Sequence, residues 1–210
     1  MKIRQFAWDV VDSNSWLITE ETHGLLIDAV DSEELYAAVK ELSDLTVILT
    51  HAHFDHIIGL EKIRELCPGC HVVATKLCSE HICNRNRNMS SAATAFMAFY
   101  KKGGPPVQIE PFVCSPADEA FENGLEFDWY GNRVALYAVY GHTNDGLIAT
   151  INDEHLFSGD TLLHIPTATR FPTGSKELLM SKDIPLLKGL NAETVYPGHG
   201  RIGSRAEMLK

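Results

Sequence analysis

The sequence has no long apolar stretch. A membrane-spanning helix needs roughly 20 consecutive apolar residues, and every apolar run here is broken by charged or polar residues well before that. The opening residues, MKIRQFAWDVVD, also lack the uninterrupted apolar segment of a secretory signal peptide. The sequence therefore argues against a membrane protein, and we expect a cytoplasmic one.

Basic residues are scarce relative to acidic ones. Lys and Arg total 18 against 28 Asp and Glu, which gives a formal net charge of −10 and a pI near 5.4. Surfaces that bind nucleic acid or anionic lipid are normally basic, so we expect neither partner. Cysteines are also few, five in all. An odd number without an export signal predicts reduced thiols rather than disulfides.

The chain length bounds the domain organisation. The 210 residues are 45% apolar, which is enough to build a full hydrophobic core. No linker or internal repeat is strong enough to divide the chain. We therefore predict a single domain over residues 1–210; the sequence does not indicate its oligomeric state.

Histidine, in contrast, is plentiful and clustered. Four potential metal ligands, His51, His53, Asp55 and His56, fall within six residues of the stretch LTVILTHAHFDHIIGL. A buried-strand pattern at 45–49 precedes them, and an apolar helical pattern follows them. A strand end holds such side chains rigidly. Neutral imidazoles and carboxylates suit Zn(II), Fe(II) or Mn(II).

The spacing of these four residues indicates more than one ion. His51 and His53 are two apart on extended backbone, so both imidazoles can point to the same side. Asp55 and His56 lie at the turn into the helix and are displaced from that pair. They are therefore better placed for a second ion than for crowding the first.

The rest of the chain alternates between strand and helix patterns. Short strands are predicted at 3–6, 16–19, 24–28 and 71–75, and period-two strands at 125–129, 134–140, 147–151, 155–158 and 194–196. Helices are predicted at 32–42, 56–66 and 175–189. Strands followed by helices, twice over, favour an α/β fold with two sheets faced by helices.

Residues 76–106 are the part of the chain that is hardest to interpret. The pattern over 76–102 is mostly helical, with Met89, Phe96 and Met97 at helix-face spacing, and 103–106 (GGPP) close it. We interpret 84–88 (NRNRN) as a solvated turn. The whole stretch is an insertion that flanks the predicted site. It is either a packed helical pair or a wall whose Met and aromatic side chains shape an acyl pocket.

Asp28 follows a buried strand and has two candidate roles. It can cap the helix that begins near Ser32. Alternatively, it can hydrogen-bond a metal ligand and fix the orientation of that ligand. The sequence alone does not choose between them.

Three further candidates are His142, Asp160 and His199. Each directly follows a predicted strand and has a glycine neighbour, which permits tight turns close to an ion. With the first four residues they make seven ligands, enough for two ions. The natural partition gives His51, His53 and His142 to one ion and Asp55, His56 and His199 to the other. Asp160 bridges them, because a carboxylate has two oxygens for two metals.

These motifs, HAHFDH, GHT, SGD and PGHG in that order, resemble those of the metallo-β-lactamase superfamily. The sequence is most similar in pattern to the small glyoxalase II-like hydrolases of that superfamily. The resemblance implies a four-layer αββα sandwich (the metallo-β-lactamase fold) with a dinuclear site. It also implies that Asp28 corresponds to the aspartate of the family's first motif.

The implied function is hydrolysis of a thioester or ester by a metal-bridging hydroxide. The cofactors would be two divalent ions, most simply Zn, with Fe or Mn as alternatives. Asp55 would act beside the nucleophile, and the substrate would be a small acyl compound. His164, Arg170 and Tyr140 are candidate substrate contacts.

Other members of the superfamily supply the alternatives. A lactonase, a mononuclear iron persulfide dioxygenase-like enzyme and a catalytically retired regulatory protein all fit the fold. Persulfide dioxygenases typically have Gly-Arg-Thr-Asp after the bridging aspartate, where residues 168–172 of this chain read ATRFP. True β-lactamases of the superfamily lack an aspartate at the position of Asp160, so that activity is not expected. The intact ligand set argues against a retired protein.

Overall fold

The computed structural model describes residues 1–100, 107–167 and 173–210, and its first half forms a six-stranded sheet. The strands lie in chain order: β1 Lys2–Trp8, β2 Ser13–Glu20, β3 His23–Ile27, β4 Asp44–Ile48, β5 His71–Thr75 and β6 Glu119–Phe121. The first three strands are antiparallel, and β3 to β6 are parallel. The parallel strands therefore end at one edge of the sheet.

The second half of the chain forms a second six-stranded sheet, in the order β12-β11-β10-β9-β8-β7. Its strands are β7 Gly124–Trp129, β8 Asn132–Val139, β9 Gly146–Ile151, β10 His155–Gly159, β11 Thr194–Pro197 and β12 Gly203–Ser204. Only β10 and β11 pair in parallel; the other pairs are antiparallel.

The two sheets pack face to face, with helices outside. Alternate residues of both sheets meet in one central apolar layer, which includes Trp16, Ile48 and Phe157. The other faces are also buried: Leu17 and Val47 pack in a cluster with helical residues, and Leu156 packs in another. Strands buried on both faces explain the nearly continuous apolar runs of the sequence. The predicted αββα sandwich is confirmed.

The helices are shorter than the sequence patterns predict. They are α1 Glu33–Lys40, α2 Phe54–Ile57, α3 Leu60–Leu66, α4 Lys76–Ile82, α5 Ala93–Tyr100, α6 Lys176–Leu178, α7 Ile184–Gly189 and α8 Arg205–Met208. Among the described residues, none of these helices has the length and apolarity to cross a membrane.

Two of the predicted helices are interrupted, each for a local reason. The one predicted at 56–66 breaks at Gly59, where the chain passes so close to Val30 that a Cβ would overlap its carbonyl oxygen. The one predicted at 175–189 contains a π-helical turn, Leu179–Asp183. Pro185 follows this turn and has no N–H to continue the α-helical ladder.

The region after α4 differs from its prediction in one respect. A short 3-10 helix, Ser90–Ala92, precedes α5, and residues 84–87 are exposed as expected for a solvated turn. Asn88, however, is fully buried. Its side chain donates to the carbonyls of Ile82 and Phe112, so it is a structural anchor. The predicted closure at 103–106 lies outside the described residues.

Candidate metal centre

The seven predicted ligands lie at one edge of the sandwich, five in loops and two, Asp55 and His56, in the short helix α2. His51 and His53 follow β4, His142 follows β8, Asp160 follows β10 and His199 follows β11. Six of the seven are buried, and the side chain of His199 is 26% exposed. The strand ends thus bring together residues that are as far apart as 148 positions in the sequence.

His51, His53 and His142 form the first group. Nε2 of His51 lies 3.0 Å from Nδ1 of His53, and Nε2 of His142 lies 3.3 Å from the same atom. Donor atoms 2.0–2.1 Å from a tetrahedral ion are about 3.3 Å from one another. These three nitrogens therefore have the spacing that a single ion requires.

Asp55, His56 and His199 form the second group. Oδ2 of Asp55 lies 3.4 Å from Nε2 of His199 and 3.7 Å from Nε2 of His56. All three donor atoms lie within 4.8 Å of one another. His51, His56 and Asp160 form a third set of the same compactness that overlaps both groups, so the partition between two ions stays a prediction.

Asp160 lies between the two groups. Its Oδ2 is 3.4 Å from Nε2 of both His142 and His199, and its Oδ1 is 3.5 Å from Nε2 of His56. Oδ1 of Asp160 and Nε2 of His56 are both buried without a hydrogen-bond partner. Buried polar atoms are rarely left unpaired, and a cation between them would satisfy both. The residues present therefore fit a divalent metal ion.

Gly198 allows the backbone to pass close to the side chains of Asp160 and His56. A Cβ at this position would overlap Oδ1 of Asp160 and lie 2.9 Å from Cε1 of His56. The Pro-Gly-His-Gly motif thus needs glycine for steric reasons at the point where the loops converge.

Two members of the first group, His51 and His53, favour the neutral imidazole. Burial, together with the neighbouring His56 and His53, holds the pKa of His51 well below its usual value. Burial and His142 lower the pKa of His53 to about 4. Near neutral pH these side chains therefore present lone pairs, the form in which imidazole binds a metal.

The second group has the opposite electrostatics. Burial lowers the pKa of His56, but Asp55, Asp160 and Asp28 outweigh it and raise the value to about 9. Burial likewise opposes protonation of His199, yet Asp160 and Asp55 raise its pKa to about 11. The carboxylates attract positive charge strongly, and a metal ion would compete with these protons.

The two carboxylates of the centre stay ionised. Burial raises the pKa of Asp55, but His56 and His199 outweigh it and lower the value to about 2. Burial opposes ionisation of Asp160 too, and His199 and His56 hold its pKa well below the usual value. Both groups are therefore anionic near neutral pH, as metal ligands must be.

Asp28 lies behind the centre. Its carboxylate accepts hydrogen bonds from the amide and hydroxyl of Thr50, each 2.7 Å long, and pairs with Nδ1 of His56 at 2.9 Å. The Nδ1 contact leaves Nε2 of His56 directed at the ligand group. Ser32, and not Asp28, caps α1. Asp28 therefore has the contacts of the ligand-orienting role.

The start of β2 provides contacts that the sequence analysis missed. The hydroxyl of Ser13 donates to the carbonyl of Asp55 at 3.0 Å. Asn14 is fully buried, and its amide donates to the carbonyls of Pro197 and Gly200 on both sides of His199. The sequence signal for these contacts was the run of polar residues, with Ser13 and Asn14, at the start of an otherwise apolar strand.

Two other missed carboxylates hold the loop of His142. Asp183 accepts hydrogen bonds from the amides of Tyr140 and Gly141, immediately before that ligand. Asp145 pairs with Nδ1 of His81 at 2.7 Å, and both residues are buried. The π-helical turn places Asp183, and α4 supplies His81.

A cavity of about 440 Å³ opens over the centre. His53, Asp55, His142, Asp160 and His199 all line it, and so does the predicted substrate contact His164. Nε2 of His164 lies 3.1 Å from the carbonyl oxygen of Arg201. Arg170 lies outside the described residues.

The prediction for Tyr140 is not supported. This side chain lines a separate, smaller cavity with Leu77 and Phe121, and Nζ of Lys182 lies 5.3 Å from its ring centroid. Asp183 binds the backbone amide of Tyr140 and sets the course of the chain there. The ring is therefore outside the cavity that the ligands line.

Residues 8–199 match the model of the metallo-beta-lactamase superfamily. This match covers most of the chain, which therefore belongs to that superfamily. The membership inferred from four short motifs is confirmed.

Individual relatives are similar at low identity. The chain is 30% identical over 204 residues to a probable metallo-hydrolase of Methanocaldococcus jannaschii, covering 92% of this chain and 90% of that one. It is 25% identical over 193 residues to a hydroxyacylglutathione hydrolase of Photobacterium profundum, covering 90% of this chain. The chain spans 62% of the length of this hydrolase and 59% of the length of another curated relative.

The fold has close counterparts among solved structures. The B3 metallo-beta-lactamase BLEG-1 superposes with a TM-score of 0.77 at 22% identity, covering 98% of this chain and 95% of that one. At this identity the similarity shows the fold and nothing beyond it.

Proposed function

We propose that the protein is a dinuclear metal-dependent hydrolase that cleaves a thioester or ester of a small acyl compound. One observation carries this proposal: Asp160 lies 3.4–3.5 Å from ligand nitrogens of both groups. A single ion would leave one of the groups unused. Two ions sharing Asp160 would use every donor atom.

The donor set indicates which ions would bind. The first ion would have three imidazole nitrogens and one carboxylate oxygen. The second would have two imidazole nitrogens and two carboxylate oxygens. Both sets suit Zn(II), with Fe(II) or Mn(II) as alternatives. When bound, such ions lower the pKa of water toward neutrality and stabilise negative charge on a carbonyl oxygen.

The chain's own residues have defined tasks in this hydrolysis. Asp55 lines the cavity, and its low pKa keeps it ionised, so it can accept a hydrogen bond from the attacking water and orient it. His199 lines the cavity beside it, but its Nε2 belongs to the ligand group and its Nδ1 lies 3.1 Å from the carbonyl oxygen of Val11, so it has no free nitrogen for the departing group. Among the described lining residues there is no Ser or Cys, so no covalent nucleophile is proposed.

Three observations support a small acyl substrate. The cavity of about 440 Å³ has the size of a small-molecule site. Because one relative is named hydroxyacylglutathione hydrolase, we favour thioesters over other esters and lactones. The net charge of −10 disfavours nucleic acid.

Elemental analysis of purified protein, combined with a substrate panel, tests the proposal. We expect two metal ions per chain and turnover of thioesters, esters or lactones. Asp160→Ala should abolish turnover and release at least one ion, whereas the exposed Asp153→Ala serves as the matched control. One iron per chain with oxygen uptake would contradict hydrolysis, and a fully loaded but inactive protein would favour a regulatory role.

A further inference from the structure

The cavity over the metal centre has an apolar wall. Apart from the ligands, most of its described lining residues are apolar and come from four separate segments: Val11, Phe54, Met89, Phe96, Leu163, Ile165 and Pro166. The charged side chains among the lining residues that are not ligands are Asp12 and Arg201. Both of these are exposed and lie at the rim of the cavity, as do His164, Ile165 and Pro166, so the inner part of the wall consists of Val11, Phe54, Met89, Phe96 and Leu163.

Met89 is held in this wall by an uncommon backbone conformation. Its φ is +63°, in the left-handed region that residues other than glycine rarely adopt. Such a conformation persists only where the surroundings impose it, and it is frequently found at functional sites. The neighbours of Met89 therefore decide whether it is fixed.

Those neighbours are firmly anchored. Asn88 and Ser90 are both buried, and Oδ1 of Asn88 accepts a hydrogen bond from the amide of Ser90. The hydroxyl of Ser90 lies 2.9 Å from the carbonyl oxygen of Phe112 and 3.0 Å from its amide nitrogen. The segment that follows residue 106 thus fixes both flanks of Met89.

Phe96 is held in the same way. Oγ1 of Thr94, two residues earlier in α5, lies 3.0 Å from both the amide nitrogen and the carbonyl oxygen of Ile109. The helix that carries Phe96 is therefore attached to the same segment that anchors Met89. The two side chains form a built wall with a fixed position relative to the ligands.

We propose that this wall selects the acyl group, and that the enzyme takes substrates with an uncharged apolar acyl chain. This inference rests on the proposed function and specifies its substrate class. An apolar chain would displace water from Met89 and Phe96 and gain affinity with each methylene. An acyl group with a terminal carboxylate would lose hydration there, because the described wall offers it no cation.

The test is a series of N-acetylcysteamine thioesters with acetyl, butyryl, hexanoyl, octanoyl and succinyl groups. With the leaving thiol constant, we expect kcat/KM to rise about three- to fourfold per methylene until the chain fills the cavity. Succinyl should be a poorer substrate than butyryl. A flat or falling series, or a preference for succinyl, would overturn the inference.

Two variants assign the effect to the wall. Phe96→Ala should move the optimum to longer chains, and Phe96→Leu should move it less. Phe6→Ala is the matched control, since Phe6 is also half-buried but lies outside the cavity. An equal shift in Phe6→Ala, or no shift in Phe96→Ala, would contradict the assignment.

A binding series separates this inference from the proposed function. Dissociation constants of butyrate, hexanoate and octanoate, measured by calorimetry, should fall with chain length in the wild type and change in Phe96→Ala. If none of the thioesters, esters or lactones were turned over, the proposed function would be contradicted. The binding series would still support or overturn the apolar wall.

Discussion

At the scale of residues, the centre depends on how polar side chains behind it hold the ligands. Asp28 makes three contacts, and its own φ of +60° places the carboxylate between Thr50 and His56. Oγ1 of Thr50 in turn lies 3.0 Å from Nδ1 of His51. One carboxylate thus connects to a ligand from each group.

Asp28→Ala should therefore weaken metal binding without touching the cavity. Loss of a hydrogen-bonding partner behind a ligand typically lowers metal affinity by about 10- to 100-fold, and we expect that range for zinc. Competition with a chromophoric chelator measures it. Asp31→Ala is the control, because Asp31 binds the hydroxyl of Tyr36 instead. Equal zinc affinity in Asp28→Ala and wild type would contradict this role.

At the scale of elements, the turn between β1 and β2 connects the two sheets at the centre. Nδ1 of His199 lies 3.1 Å from the carbonyl oxygen of Val11, and Asn14 binds the carbonyls on both sides of His199. Ser13 binds the carbonyl of Asp55. This turn and the first residues of β2 therefore position two members of the second ligand group.

Asn14→Ala should destabilise this connection and reduce occupancy of the second ion. The variant removes the hydrogen bonds of Asn14 to both carbonyls and to Gln5, although Trp16 still donates to the carbonyl of Pro197 and Gln5 to that of Gly200. We expect a loss of about 1–2 kcal/mol in the free energy of unfolding, measured by urea denaturation. Asn191→Ala, at an exposed position between α7 and β11, should change it by less than about 0.5 kcal/mol. Equal effects of the two variants would argue against the connection.

The elements also show what the sequence could predict. Apolar runs in the first half of the chain and period-two apolar residues in the second half located ten of the twelve strands that the described residues form, because most residues of these strands are buried. The short β6 and β12 were missed because few of their residues are buried. The π-helical turn was missed because it depends on how Asp183 reaches amides 42 and 43 residues away.

The candidate site was predictable where ligands follow strands. His51 to His56 are local in sequence, and the glycines beside His142, Asp160 and His199 indicated tight turns. The supporting contacts were not predictable in this way. Asn14, Asn88 and Asp145 are polar residues whose burial follows only from the packing of distant segments.

At the scale of the whole molecule, the centre links stability to pH. The folded state raises the pKa of His56 to about 9 from 6.5, against the effect of burial, because three carboxylates surround it. Protein from which metal has been removed is therefore stabilised by this group below pH 6.5 and loses that contribution as the pH rises through about 9.

At acid pH the dependence of stability on pH has the opposite sign. The pKa of Asp55 falls to about 2 from 3.8, despite burial, because of His56 and His199, so its contribution is lost as the pH falls through about 2. Calorimetry on metal-stripped protein should thus give the highest Tm between these limits. Zinc-loaded protein should show a smaller alkaline decline, since the ion replaces the protons. A Tm of stripped protein that rises from pH 6.5 to 9 would be inconsistent with these charges.

The most direct measurement is the anomalous diffraction of crystals grown with zinc. Two peaks should lie about 3.5–4 Å apart. Each should be about 2.0–2.2 Å from its own ligand group and next to Asp160. One peak only, or peaks away from these residues, would contradict a dinuclear centre.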